Sequence, residues 1–122
     1  MPSDPAHFPP LTHVAYHVLL SLARSPSHGY GIIKDVEEHT EGRVVLEAGT
    51  LYAAIKRFRD ECLIVEVPTP AGTDARRRCY GLTAMGREVV RVESERLAEL
   101  VALARTSRVL PGGERDRAEG RA

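Results

Sequence analysis

The sequence predicts a mostly α-helical chain with one small β-hairpin and a long final helix. Three observations carry that expectation. Apolar residues fall on one helical face in four separate stretches, and in the first they follow i, i+3, i+4, i+7, the signature of a helix with one buried face. One β-branched run, Leu63-Ile64-Val65-Glu66-Val67, is followed by Arg78-Cys79-Tyr80-Gly81-Leu82, which can return alongside it. Pro and Gly gather between these stretches, where they punctuate. A chain of 122 residues accommodates one compact domain and not two.

Residues 1–10, with Pro2, Pro5, Pro9 and Pro10, cannot sustain a helix and read as an extended N-terminal arm. A first helix is expected from about Leu11, buried through Leu11, Val14, Ala15, Val18, Leu19 and Leu22 and ended by Ser25-Pro26. Tyr16 and Leu20 lie off its stripe and are left for a partner to cover. A second helix runs from Ser27 or His28 to Thr40, with Ile32, Ile33 and Val36 inward and Gly42 as its terminator. Gly29 and Gly31 weaken its first turn, which suits a backbone approached closely by another helix or by a phosphate.

The third helix, about Gly49 to Glu61, has Leu51, Ile55, Phe58 and Cys62 on one arc as its buried stripe. Its opposite arc carries Thr50, Ala53, Lys56, Arg57 and Asp60, with Tyr52 and Arg59 at the flank. Small, hydroxyl and basic residues on an outward face suit the major groove of DNA, which bulky side chains would hold away. The hairpin follows, with Pro68, Pro70, Gly72 and Asp74 in a long, flexible tip. Thr83 is then a good N-cap for a helix from Ala84 to about Arg108, stopped by Pro111-Gly112-Gly113. The divisions are thus arm 1–10, core domain 11–83, long helix 84–108 and a disordered tail 109–122.

That long helix has two apolar stripes: Val90, Leu97, Val101 and Ala104, and Val89, Val92, Leu100 and Leu103. One small domain cannot cover both. The helix is therefore expected to pack against a second copy, together with Tyr16 and Leu20.

Net charge is zero, whereas general nucleic-acid coat proteins have a pI above about 9. Distribution says more than the sum. Lys56, Arg57 and Arg59 form one basic patch, Arg76, Arg77, Arg78 and Arg87 a second, and acids such as Asp35, Glu37, Glu38 and Glu41 lie elsewhere. Such patches suit a binder that touches phosphates at chosen places. No apolar run approaches the roughly 18 to 20 residues of a membrane span, and no signal segment opens the chain, so a cytoplasmic location is expected. The two cysteines, Cys62 and Cys79, are expected to be reduced structural thiols. His13 and His17 have a metal-compatible i, i+4 spacing without a third ligand, so neither metal nor cofactor is expected. Catalysis is not expected either, because no nucleophile motif or phosphate loop is present.

Three helices, a hairpin and a final helix, in that order, make a winged helix-turn-helix with a C-terminal extension. Through its motifs the chain resembles PadR-family regulators. His28-Gly29-Tyr30 opens helix two, Gly49-Thr50-Leu51-Tyr52 opens helix three, and Lys56-Arg57 precedes Leu63-Ile64. Arg76-Arg77-Arg78-Cys79-Tyr80-Gly81-Leu82-Thr83 and Gly86-Arg87 look like the family's wing strand and Leu-Thr-x-x-Gly-Arg junction. Coverage runs from Leu11 to about Arg105, and the single last helix looks like the short subfamily.

The resemblance implies a DNA-binding transcriptional regulator, a homodimer on an inverted-repeat operator, typically a repressor released by a small aromatic effector. It implies that Thr50, Tyr52, Lys56 and Arg57 meet DNA, that Tyr30 lies near a phosphate, and that Arg76, Arg77 and Arg78 lie beside the backbone. Cys62 departs from the family's usual helix-ending Gly, and Gly81 from a larger polar residue. A protein-binding winged module would not need basic residues on both helix three and the wing. A MarR-type regulator would carry more helix before and after the winged core.

Overall fold

The computed structural model describes residues 8–111. The elements in order are α1 (His13–Arg24), β1 (Ser27–His28), α2 (Gly29–His39), α3 (Ala48–Asp60), β2 (Ile64–Val67), β3 (Cys79–Leu82) and α4 (Ala84–Thr106). This is the mostly helical, winged arrangement that the sequence predicts. It has one strand more than expected. Ser27 pairs with Tyr80 and His28 with Cys79, so a three-stranded antiparallel sheet forms in the order β1-β3-β2. Two residues carry too little pattern to announce a strand.

Side-chain caps set where three of the helices start. The Thr12 hydroxyl accepts from the Ala15 N–H at 3.1 Å, so α1 begins two residues later than Leu11. His28 Nδ1 accepts from the Gly31 N–H at 3.0 Å, and the Thr83 hydroxyl from the Gly86 N–H at 3.0 Å. Each satisfies a donor that the first turn leaves unpaired.

Three of the helix ends share one device. After α3, the Leu63 N–H bonds the Phe58 carbonyl and the Cys62 N–H the Arg59 carbonyl, with Cys62 at φ 62°. This is a Schellman motif. The same pattern follows α2, with Glu41 at φ 53°, and α4, with Arg108 at φ 63°. Cys62 is therefore exposed and outside the buried stripe, contrary to the helical reading of its spacing, because the helix has already ended. Ala54 takes its place among the buried residues of α3. Glu41 rather than Gly42 makes the first left-handed turn after α2, although Gly42 follows it there at φ 78°.

Phe58, Leu19, Leu22, Ile32, Leu51, Leu63, Val18 and Val36 are fully buried and join α1, α2, α3 and the root of the hairpin. Burying each such side chain contributes about 1.5 to 3 kcal/mol. Phe8 is buried in the same cluster, so the end of the N-terminal arm is a core element. The partly buried Asp35 links α1 to α2. It accepts from the Ser21 hydroxyl at 2.6 Å and from Arg24 Nε at 3.0 Å, and it lies 3.1 Å from His39 Nδ1. Burial pushes its pKa up, but these bonds and the Arg24 and His39 charges outweigh that and hold it below the ordinary value.

The hairpin root fixes α4. Thr83 donates its hydroxyl to the Cys62 carbonyl at 2.6 Å and its N–H to the Leu63 carbonyl at 3.0 Å. The first turn of α4 then rests on Leu63, and a Cβ on Gly86 would stand 2.0 Å from that carbonyl oxygen. Cys62 lies at this end of the hairpin, while Cys79 is buried at the other, paired with Val67. About 10 Å of strand separates the two ends, beyond the reach of a disulfide. Among the described residues, no helix is long and apolar enough to cross a membrane. Most of the expected 109–122 tail lies outside the described residues.

Gly86→Ala is expected to destabilise the chain by about 2 to 3 kcal/mol, because backbone must move to admit one methyl. Urea unfolding monitored by circular dichroism measures it; an unchanged midpoint would mean that the α4 junction is not tightly packed.

Candidate nucleic-acid interface

The outward face of α3 is set by what its inward face buries. With Leu51, Ala54, Ile55 and Phe58 in the core, Thr50, Tyr52, Ala53, Lys56, Arg57 and Arg59 are all exposed. Two sides of this face differ. Thr50, Ala53 and Arg57 border a cleft of about 520 Å³ shared with Thr12 and Val14 at the start of α1. Tyr52, Lys56 and Arg59 border one of about 480 Å³ closed by Tyr80 of β3.

A third cleft, about 450 Å³, adjoins the second through Tyr52 and Tyr80 and is otherwise lined by His28, Gly29, Tyr30 and the three wing arginines. The β1–β3 pairing builds it, since it seats the start of α2 against the returning wing strand. Tyr52 reaches across from α3. A Cβ on Gly29 would stand 2.6 Å from the Tyr52 hydroxyl, so of the two close approaches this glycine could serve, helix packing is the one realised. Tyr30 remains 53% exposed and Tyr52 54%, although the hydroxyl end of Tyr52 is packed against Gly29.

The wing arginines, adjacent in sequence, have separate surroundings. Arg76 is held by Asp74, through its side chain at 3.0 Å and its backbone N–H at 2.9 Å. These bonds lower the Asp74 pKa. Arg78 lies 4.0 Å from Glu66. Arg77 has no carboxylate partner among the described residues; its guanidinium sits 5.2 Å from the Tyr30 ring centroid and 3.3 Å from His28 Nε2. Hydrogen-bonded turns hold the tip, with the Thr73 N–H on the Pro70 carbonyl and the Arg77 N–H on Asp74.

On α3, Lys56 pairs with Asp60 at 3.0 Å and Arg57 with Glu61 at 3.9 Å, all of them exposed. Exposed pairs of this kind contribute roughly 0.3 to 0.5 kcal/mol, so the cations are readily given up to a stronger anion. Arg59, which its spacing places at the flank, stands 5.8 Å from the Tyr80 ring and faces the cleft. Sequence reasoning left Arg59, Tyr80 and His28 out of the site. The signal that could have found His28 and Tyr80 is register, since Ser27-His28 pairs with Cys79-Tyr80; Arg59 joins them through Tyr80, from α3.

The residues assigned to a subunit seam fall into two groups. Val90 is 6% exposed and packs in the chain's own core, because α4 lies on α1 and β3 there. Tyr16 and Leu20 are half-buried against that core, and the Tyr16 hydroxyl is 2.8 Å from Ser94 Oγ. Beyond Glu93 the helix is bare on its apolar side. Leu100 is 55% exposed, Val101 40% and Leu103 61%, with Leu97 and Ala104 intermediate. His13 and His17 approach to 3.2 Å between Nε2 atoms on the surface, and no third metal-binding side chain joins them among the described residues.

Comparison with known proteins bears on the family and the fold. A protein of transposon TN4556 from Streptomyces fradiae, itself uncharacterized, is 35% identical over 83 residues. That match covers 68% of this chain and 22% of the other, so the chain spans about a fifth of that relative's length. A transcriptional regulator from Clostridium thermocellum superposes with a TM-score of 0.67 at 26% identity, covering 80% of this chain and 91% of that one. Bacillus subtilis PadR in complex with operator DNA superposes with a TM-score of 0.56 at 23% identity, over 70% of this chain and 47% of that one. Residues 18–92 match the transcriptional regulator PadR-like family, and the chain belongs to that family.

Proposed function

We propose that the chain is a DNA-binding repressor that reads an inverted-repeat operator as a homodimer, with α3 in the major groove and the wing on the backbone. One observation carries this reading. The Tyr52, Lys56 and Arg59 side of α3, the start of α2 and the basic wing line two clefts that share Tyr52 and Tyr80, and Thr50, Ala53 and Arg57 lie exposed on the adjoining side of α3, so three separate elements bring their basic residues to one face. Gly49 supports it. A Cβ there would meet nothing within 4 Å, so the subunit's own packing does not require the glycine at the exposed start of α3. A glycine costs about 1 kcal/mol relative to alanine in a helix interior, and less in the first turn, where Gly49 lies. Close approach of DNA gives that cost a purpose.

Within this reading Thr50, Ala53, Lys56 and Arg57 face base edges, Tyr30 and Tyr52 reach phosphates, and Arg76, Arg77 and Arg78 hold the backbone. Lys56→Ala or Arg57→Ala is expected to cost about 1 to 3 kcal/mol on the cognate site and to relax preference at one base position. Arg76→Ala should weaken all sequences alike and reduce the salt slope by roughly one unit. Footprinting on DNA upstream of the chain's own gene should show dyad symmetry, with half-site centres about 10 base pairs apart or a multiple of that. Specific binding that survives the Lys56→Ala, Arg57→Ala double substitution would remove α3 from the reading.

Leu97, Leu100, Val101 and Ala104 form the dimer seam, with Tyr16 and Leu20 at its margin. Their support is the bare apolar side of α4 beyond Glu93. Multi-angle light scattering should give twice the chain mass, and Leu100→Glu should yield monomer or unfolded chain, because a carboxylate would be desolvated at the seam. A monomer from the unsubstituted chain at micromolar concentration contradicts this. Release by a small aromatic effector seated between α1 and α4 completes the reading; its support is the family alone, and phenolic compounds that leave the protein–DNA complex intact would remove it.

A further inference from the structure

We infer that His28 is a DNA-contacting residue: its Nε2–H and the Arg77 guanidinium form a two-donor clamp for a single phosphate oxygen. The inference rests on the DNA-binding reading above and adds to it a residue outside α3 and the wing. A neutral imidazole has one lone pair. In His28 that lone pair is on Nδ1, which accepts the Gly31 N–H at 3.0 Å and caps α2. Nε2 therefore carries the proton. It lies 3.3 Å from Arg77 Nη1, so two N–H donors face each other with no acceptor between them.

This arrangement is held from several sides. The His28 ring is parallel to Tyr30, 7° apart in plane, and Arg77 sits over the same tyrosine. His28 is fixed in the sheet by its pairing with Cys79, and Arg77 by its N–H on the Asp74 carbonyl. Burial first and the Arg77 charge second hold the His28 pKa below its ordinary value. The imidazole is thus neutral at pH 7 and donates without being a cation. An oxygen about 2.9 Å from each nitrogen satisfies both donors at once. Such an acceptor must be anionic to relieve the uncompensated Arg77 charge, and a phosphate of the DNA backbone is the anion this surface meets. A cap alone would not need the second nitrogen to face a guanidinium across an open cleft.

The test uses full-length protein and a random-sequence 30-base-pair duplex, titrated by fluorescence anisotropy between 50 and 200 mM salt. Asn and Ser are both good N-caps, so His28→Asn and His28→Ser keep the start of α2, and thermal unfolding verifies that they do. Both should bind roughly 3- to 15-fold more weakly per protomer at every salt concentration, the worth of one lost hydrogen bond in each. Their salt slope should match wild type, because a neutral donor displaces no counterion. Arg77→Ala should instead lower the slope by about 0.9 per protomer. The double variant should lose less than the product of the single losses, since both groups hold one oxygen. Wild-type affinity in the folded His28 variants, or losses that multiply fully, would overturn the clamp while leaving the DNA reading in place. If wild-type protein binds no duplex even at 50 mM salt, the DNA reading fails and the clamp with it.

Discussion

Backbone pairing of Ser27-His28 with Cys79-Tyr80 is a small contact, yet the rest of the basic surface depends on it. It ties the start of α2 to the returning strand of the wing. Without it, the wing would be held only by β2 and the α4 junction, and the arginines would have no fixed relation to Tyr30. Central β3 is buried on both sides of its ladder, and Gly81 lies in it within close range of Val67 and Pro26. A Cβ there would stand 3.2 Å from the Val67 side chain of β2, so a larger residue needs that side chain to give way, which gives this departure from the usual family residue a local cause.

The same constraint sorts the cations. Rings or carboxylates hold every wing arginine, and the difference decides availability. Arg76 and Arg78 have acidic neighbours, Asp74 and Glu66, whereas Arg77 and Arg59 are oriented by Tyr30 and Tyr80. A guanidinium over a ring gains roughly 0.5 to 1 kcal/mol at an exposed site and keeps its whole charge for a ligand. One paired to a carboxylate must first give that partner up. Net charge is zero over the chain, so the field that DNA would meet is made by placement rather than by excess.

Much of this was legible in the residues. Periodicity located all four helices, because a 3.6-residue stripe survives any tertiary context that buries one face. Thr83 announced the start of α4 through its hydroxyl, and the outward arc of α3 followed once Leu51, Ile55 and Phe58 were placed inward. What failed was non-local or geometric. Cys62 continues the α3 stripe arithmetically, but a Schellman turn removes it from the helix, and nothing local forbids either outcome. Strand β1 is two residues long, so its pairing is set by β3, about fifty positions away. Val90 fits a seam by spacing but is covered within the subunit, because the Gly86 junction presses the first turns of α4 onto the core. The family motifs fixed which residues are basic and aromatic, while the sheet register fixed which of them meet.

Hydrogen–deuterium exchange of the protein with and without a duplex tests the central claim most directly, that α2, α3 and the wing act as one DNA face while distal α4 serves the proposed subunit contact. Added DNA should slow exchange together in three segments, 27–31, 49–59 and 74–80. Segment 97–106 should already be protected without DNA and should not change. Protection confined to one of the three segments, or appearing in α4 only when DNA is added, would contradict the account.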